Sequence, residues 1–171
     1  MQDTEIPRFK AVGIVHRKES DDEVRKGLSD SSESEVEIYP QYKDAVEGLD
    51  GFSHIFVLAY FHKLRPEQIG PLKVRPKRLA KFGLKLEEIP FVGDFTLDSP
   101  TRPNPIGLSL VRLLRIVDGR KLVVSELEFF DGTPVLDIKP YQAGYRVEEY
   151  LLPKWNTDLA MKAGLSPSES I

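Results

Sequence analysis

Cysteine is absent from this chain of 171 residues, and histidine, methionine and tryptophan number only three, two and one. No disulfide framework can hold the fold, and no thiolate zinc site can form. His16, His54 and His62 are too dispersed to suggest a metal site by spacing, so no metal is expected. No uncharged run approaches the ~20 residues that a membrane helix requires, and the start, MQDTEIPRFK, lacks the basic-then-apolar layout of a signal peptide. A cytoplasmic protein with no membrane partner is the expectation. No Gly-rich phosphate turn opens a βαβ unit, which excludes a Rossmann-type nucleotide fold. The net charge of −3 gives no global attraction for polyanions, so any such partner needs a local patch.

What the chain does have is concentrated proline. The stretch Gly93 to Gly107, GDFTLDSPTRPNPIG, places Pro100, Pro103 and Pro105 within six positions. It cannot be a helix or a central strand, and reads as a rigid, extended loop. Arg102 and Asn104 set a guanidinium fork and a two-way amide between the prolines. This is either a binding loop or a proline-rich crossover without a ligand. A later stretch, DGTPVLDIKPY, runs from Asp131 to Tyr141 and brings Asp131, Asp137, Lys139 and Tyr141 within eleven residues. The same residues also read as a turn cap, an Asp137–Lys139 ion pair and a tyrosine lid on the core. Lys73, Arg75, Lys77, Arg78, Lys81 and Lys85 put six cations in thirteen residues, as a solvated face or a patch for polyanions.

At 40% hydrophobic, the chain suits one domain with a sizeable core. Residues 9–15 read as a first strand, 19–37 as a mobile acidic loop, and 42–49 as about two helical turns. Residues 52–62 are apolar at nearly every position and read as a strand buried on both faces. Residues 64–83 read as loop. Residues 108–117 and 121–130 form a hairpin around Asp118-Gly119, and 135–138 is a short apolar run. In the tail, 157–163 reads as a short helix ended by Gly164, Leu151, Leu152 and Trp155 as apolar groups suited to a partner surface, and the final residues as frayed. The expected fold class is mainly β: a small, mostly antiparallel β-barrel with a few short helices and long loops. The expected boundaries are a barrel domain over 8–145 and a C-terminal arm over 146–171.

GDFTLDSPTRPNPIGLSL and DGTPVLDIKPY, with FSHIFVLAYFH at 52–62 and VRPKRL at 74–79, resemble the TsaA-like family of tRNA N6-threonylcarbamoyladenosine methyltransferases. The resemblance implies a homodimeric β-barrel that binds S-adenosylmethionine without a Rossmann fold. Its implied activity is methylation of N6 of a threonylcarbamoyl-adenosine beside the tRNA anticodon. It implies a cofactor set of Arg25, Phe61, His62, Asp98, Arg102, Leu108, Glu128, Phe129, Phe130 and Asp131. On the chemistry, Phe61, Phe129 and Phe130 offer faces for an adenine or a sulfonium, and Glu128 and Asp131 offer acceptors for a ribose or an amine. Asp131, Asp137 and His62 are the candidate proton acceptors, Asp131 first, with Lys139 and Tyr141 holding the modified base or a phosphate. Lys73, Arg75, Lys77, Arg78 and Asn104 are the implied substrate contacts.

Two departures bear on this reading. Asp98-Ser99 stands where the family carries Arg-Ser, exchanging a cation for an anion. Some relatives also carry a C-terminal domain, which is not expected in this chain. The alternatives are a methyltransferase of the same fold acting on a small molecule or protein, and a non-catalytic module that binds S-adenosylmethionine.

Overall fold

The computed structural model describes residues 8–26 and 32–166. These form eight strands: β1 (Gly13–His16), β2 (Glu33–Ile38), β3 (His54–Tyr60), β4 (Lys73–Val74), β5 (Val92–Gly93), β6 (Ile106–Val117), β7 (Lys121–Ser125) and β8 (Pro134–Pro140). Two α-helices, α1 (Asp21–Arg25) and α2 (Lys154–Lys162), accompany them. No described helix is long and apolar enough to cross a membrane. The chain divides into two compact units, one from Met1–Lys63 with Ile106–Gly144 and one from Leu64–Pro105 with Tyr145–Ile171.

The first unit is a closed antiparallel barrel in the order β1-β2-β7-β6-β3-β8, with β8 paired back onto β1. The mainly β architecture expected of the sequence is therefore present. Alternation along each strand fills its interior: Val15, Val36, Ile55, Val57, Val111, Leu122, Val124 and Val135 are all fully buried. Closure leaves no strand edge open to pair with another chain. Two register shifts, at Leu58/Ala59 on β3 and at Leu113/Arg115 on β6, supply the local bend that small barrels need. Between β6 and β7, Asp118 and Gly119 take φ values of 52° and 66°, the left-handed pair that the two-residue hairpin requires.

Several elements differ from expectation. The acidic stretch 19–37 is structured wherever it is described. Ser20 caps α1, accepting from the Glu23 N–H while the Glu23 carboxylate accepts from the Ser20 N–H and hydroxyl. In β2 the glutamates alternate outward, where Glu33, Glu35 and Glu37 pair with Arg115, Lys121 and Arg120. The cations on neighbouring strands are what let an acidic segment form a strand. The segment 9–15 is strand only from Gly13, although Val12 already bonds to Val135 and Tyr39; a Cβ on Gly13 would lie 2.5 Å from the Glu37 carbonyl oxygen, so glycine permits the close approach of β1 to β2.

Pro40–Val46 is a 3-10 helix in place of α-helical turns. β3 is buried on one face only, through Ile55, Val57 and Ala59, and Tyr60 is 40% exposed. β7 ends at Ser125 and not at Phe130, because Glu126 turns to φ 64° and breaks the ladder.

In the second unit, β4 and β5 form a two-stranded ribbon, so the expected loop over 64–83 is interrupted by β4 and by 3-10 turns at Pro66–Gln68 and Lys77–Phe82. A separate apolar cluster joins Leu79, Leu84 and Ile89 to Leu159 of α2, with Trp155 packed against it. Trp155 thus serves the core, whereas Leu151 stays 98% exposed. The helix begins at Lys154, earlier than expected, and Gly164 follows it with φ 72°. The last residues, 167–171, lie outside the described ones.

Candidate functional site

At one end of the barrel, β3 runs on through Phe61, His62 and Lys63 opposite the irregular segment 126–133. The Arg17 side chain has no solvent exposure and organises this end. Its guanidinium donates to the carbonyls of Leu127 at 2.6 Å and Phe129 at 2.9 Å, and to Glu19 at 3.2 Å. The Glu19 carboxyl is held below its ordinary range by its backbone N–H first, then by Ser32 and Arg17. The Arg17 backbone N–H donates to Asp131 Oδ1 at 3.0 Å, which fixes that exposed carboxylate.

Phe61 and Phe129 meet edge to face at 5.8 Å, and a Cβ on Gly107 would come within 2.6 Å of both rings. Only glycine fits beneath this pair. Phe129 is 4% exposed, so its ring closes the core rather than offering a face to a ligand. Phe130 differs: Arg25 lies 4.9 Å and Lys63 5.3 Å from its centroid, so the ring already attracts cations. Lys63 is also held by Asp21 at 2.8 Å, and Arg25 by Asp22 at 2.9 Å.

His62 Nε2 lies 3.8 Å from the place of a Cβ on Gly132, whose φ of 76° and missing side chain leave that space open. Burial first, and Lys63 second, lower the His62 pKa from 6.5 against the opposing pull of Asp21 and Asp131. The imidazole is therefore neutral at pH 7 and keeps one acceptor nitrogen. Glu128 is exposed beside these groups in the chain.

Asp137, Lys139 and Tyr141 do not join this cluster. They run along β8 beside the outward residues of β3: Asp137 opposes Leu58, Lys139 opposes Phe56, and the Tyr141 N–H donates to the His54 carbonyl. Asp137 and Lys139 are ion-paired at 2.9 Å, and Tyr141 packs its ring 5.9 Å from Phe56. Leu108 of β6, 66% exposed, opposes Leu58 from the other side. Leu108, Leu58 and Asp137 thus form one lateral row on the outer face of the barrel.

The remaining candidates belong to the second unit. Asp98 and Asn104 are exposed. The Arg102 guanidinium donates to the Leu97 carbonyl at 2.6 Å and lies 5.5 Å from the Phe95 ring. Lys73, Lys77 and Arg78 are exposed, whereas Arg75 is half-buried, bonded to the Leu86 carbonyl and 4.4 Å over Phe91.

Sequence reasoning missed Arg17, Asp21, Lys63 and the space at Gly132. Arg17 sits in a His-Arg-Lys run that reads as the charged end of a strand, and nothing local marks it as buried. His16, Glu35 and Glu37 bring possible ligand atoms within 4.8 Å of one another on the outer face of β1 and β2. There the two carboxylates are already paired with Arg120 and Lys121.

Residues 16–145 match the profile of the tRNA-methyltransferase O N-terminal domain. The chain belongs to the TrmO N-terminal domain family. A probable S-adenosyl-L-methionine-binding protein of Methanothermobacter thermautotrophicus is 43% identical over 143 residues, covering 82% of this chain and 93% of that protein. A tRNA (adenine(37)-N6)-methyltransferase of Escherichia coli is 38% identical over 142 residues, covering 78% of this chain and 57% of that protein. A crystal structure of TrmO superposes with a TM-score of 0.63 at 28% identity, covering 86% of this chain and 64% of that one. This chain therefore spans less than two thirds of the Escherichia coli protein and of the TrmO crystal structure. The matched TrmO span contains the His62–Asp131 end of the barrel, the Leu108–Asp137 row and the β4–β5 ribbon, and it stops before α2.

Proposed function

We propose that this protein is an S-adenosylmethionine-dependent methyltransferase that methylates N6 of the threonylcarbamoyl-adenosine beside the tRNA anticodon, acting as a cytoplasmic homodimer. The observation that carries this reading is the barrel end where neutral His62, anchored Asp131 and cation-attracting Phe130 meet beside the space at Gly132. That donor set suits the cofactor: an aromatic face for a cationic sulfonium and a fixed carboxylate for an amine or hydroxyl. Phe61, His62, Phe130, Asp131 and the exposed Glu128 would hold it, with Arg25 at the rim and Leu108 on the outer barrel face.

S-adenosylmethionine supplies an electrophilic methyl group when bound. Transfer forms a carbon–nitrogen bond, breaks the carbon–sulfur bond and releases one proton from N6. Asp131 takes that proton, its position fixed by the Arg17 N–H, and His62 is the neighbouring acceptor. Asp137, Lys139 and Tyr141, set apart from Asp131 along the outer face, would contact a phosphate or neighbouring nucleotide of the tRNA and not the reacting base. Most of the rate then comes from holding the nitrogen in line with the methyl group. Lys73, Arg75, Lys77, Arg78 and Asn104 meet tRNA, the cations through its phosphates. The exposed apolar row of Ile106, Leu108 and Leu110 on β6 is the proposed dimer face.

The test is methyl transfer from labelled S-adenosylmethionine to tRNA with and without the threonylcarbamoyl group. Only the modified tRNA should become labelled. Asp131→Asn should lower turnover by about 10²–10⁴-fold, beyond any loss of cofactor affinity from the missing carboxylate charge. Cofactor binding without transfer to any tRNA would instead favour a small-molecule or protein substrate, a reading that the net charge of −3 supports.

A further inference from the structure

We infer that Phe91 and Phe95 are a stacking platform for unpaired bases of an RNA loop, an inference that rests on the tRNA reading above and adds base contacts to it. Both rings lie in the second unit, four residues apart on either side of β5, and both face water: Phe91 is 60% and Phe95 76% exposed. Single exposed aromatics are common on protein surfaces and mean little alone. These two are each accompanied by a guanidinium that is itself tied down. Arg75 lies 4.4 Å over Phe91 and is bonded to the Leu86 carbonyl. Arg102 lies 5.5 Å from Phe95 and is bonded to the Leu97 carbonyl at 2.6 Å.

The ribbon pairs Lys73 with Gly93, so an exposed lysine sits across from the residue midway between Phe91 and Phe95 in the chain. A Cβ at Gly93 would meet nothing within 4 Å, and its absence leaves that position bare. Aromatic faces, guanidinium planes and a nearby ammonium are the combination by which proteins hold single-stranded RNA, with bases stacked on rings and phosphates on cations. A duplex hides its base faces, so such a platform selects a loop. An apolar protein partner would not be matched by the three cations around the rings.

The experiment measures binding of an anticodon stem-loop RNA, and of a duplex RNA of equal charge, to the full chain over a series of salt concentrations. Phe91→Leu and Phe95→Leu keep apolar bulk and remove the π-face at exposed positions, so folding is retained. Each should weaken stem-loop binding by about 5- to 150-fold, leave the salt slope unchanged and leave duplex and S-adenosylmethionine binding unchanged. Phe91→Trp, which keeps a π-face, should retain stem-loop affinity. Lys73→Ala should reduce the salt slope instead. If the wild-type chain binds the stem-loop and both leucine variants bind it equally well, the platform is overturned and the tRNA reading stands. If the wild-type chain binds no tRNA at any salt concentration, the tRNA reading falls first and the platform with it. If the leucine variants change self-association and not RNA affinity, the rings belong to a protein contact and the inference is overturned.

Discussion

At the barrel end, burial and neighbouring charges act on one imidazole, that of His62. His62 loses more from burial and from the Lys63 ammonium than it regains from Asp21 and Asp131, so its folded pKa lies below 6.5. The unfolded chain therefore binds the His62 proton at a higher pH than the folded chain does. Stability from this group is fully present above pH 6.5 and is lost as pH falls from 6.5 through the depressed folded value. In a proton NMR titration the His62 ring should titrate with a midpoint below 6.5. His62→Gln should remove that part of the pH dependence of unfolding. A midpoint at or above 6.5 would mean that the pull of Asp21 and Asp131 outweighs burial and Lys63.

At the scale of elements, the segment 126–133 is held by side chains where strand pairing has ended. Once Glu126 leaves the ladder, the carbonyls of Leu127 and Phe129 depend on the buried Arg17 guanidinium, and Asp131 on the Arg17 N–H. Arg17→Met keeps apolar bulk but leaves two carbonyls without their donor, each costing about 1–3 kcal/mol. Chemical denaturation should show a loss of about 2–6 kcal/mol, with S-adenosylmethionine affinity falling as the Phe130–Asp131 stretch loosens. A variant of unchanged stability would show that the strap is held by something other than Arg17. The sequence could not disclose this, because Arg17 earns its place through partners more than a hundred positions away. The Asp118-Gly119 hairpin was legible for the opposite reason, since its signal is local. The β2 strand was obscured by its glutamates, whose balancing cations lie on β6 and β7 and at the turn between them.

For the whole molecule, the barrel class and the two motif stretches could be read from the chain, but the division into two units could not. The apolar residues of 64–105 are interrupted by prolines and lysines and look like loop. Their core partners, Leu159 and Trp155, arrive only with the tail helix. The motif stretch Gly93 to Gly107 is likewise shared, with Pro105 closing one unit and Ile106 opening the other. Among the described residues, the barrel's cluster is built around Val15, Val36, Ile55, Val57 and Leu122, and the second unit's around Leu79, Leu84, Ile89 and Leu159. Removing one side chain from the second cluster should therefore be felt there first. Leu159→Ala, at a site 5% exposed, should cost that unit about 2–5 kcal/mol through lost burial and the cavity left behind. Hydrogen exchange read by mass spectrometry should show faster exchange over 77–89 and 154–163, with β1, β3 and β7 keeping their protection. Equal loss of protection in the barrel strands would mean that both clusters melt as one cooperative unit, and a stacking platform on the ribbon would then be no easier to reshape than the barrel itself.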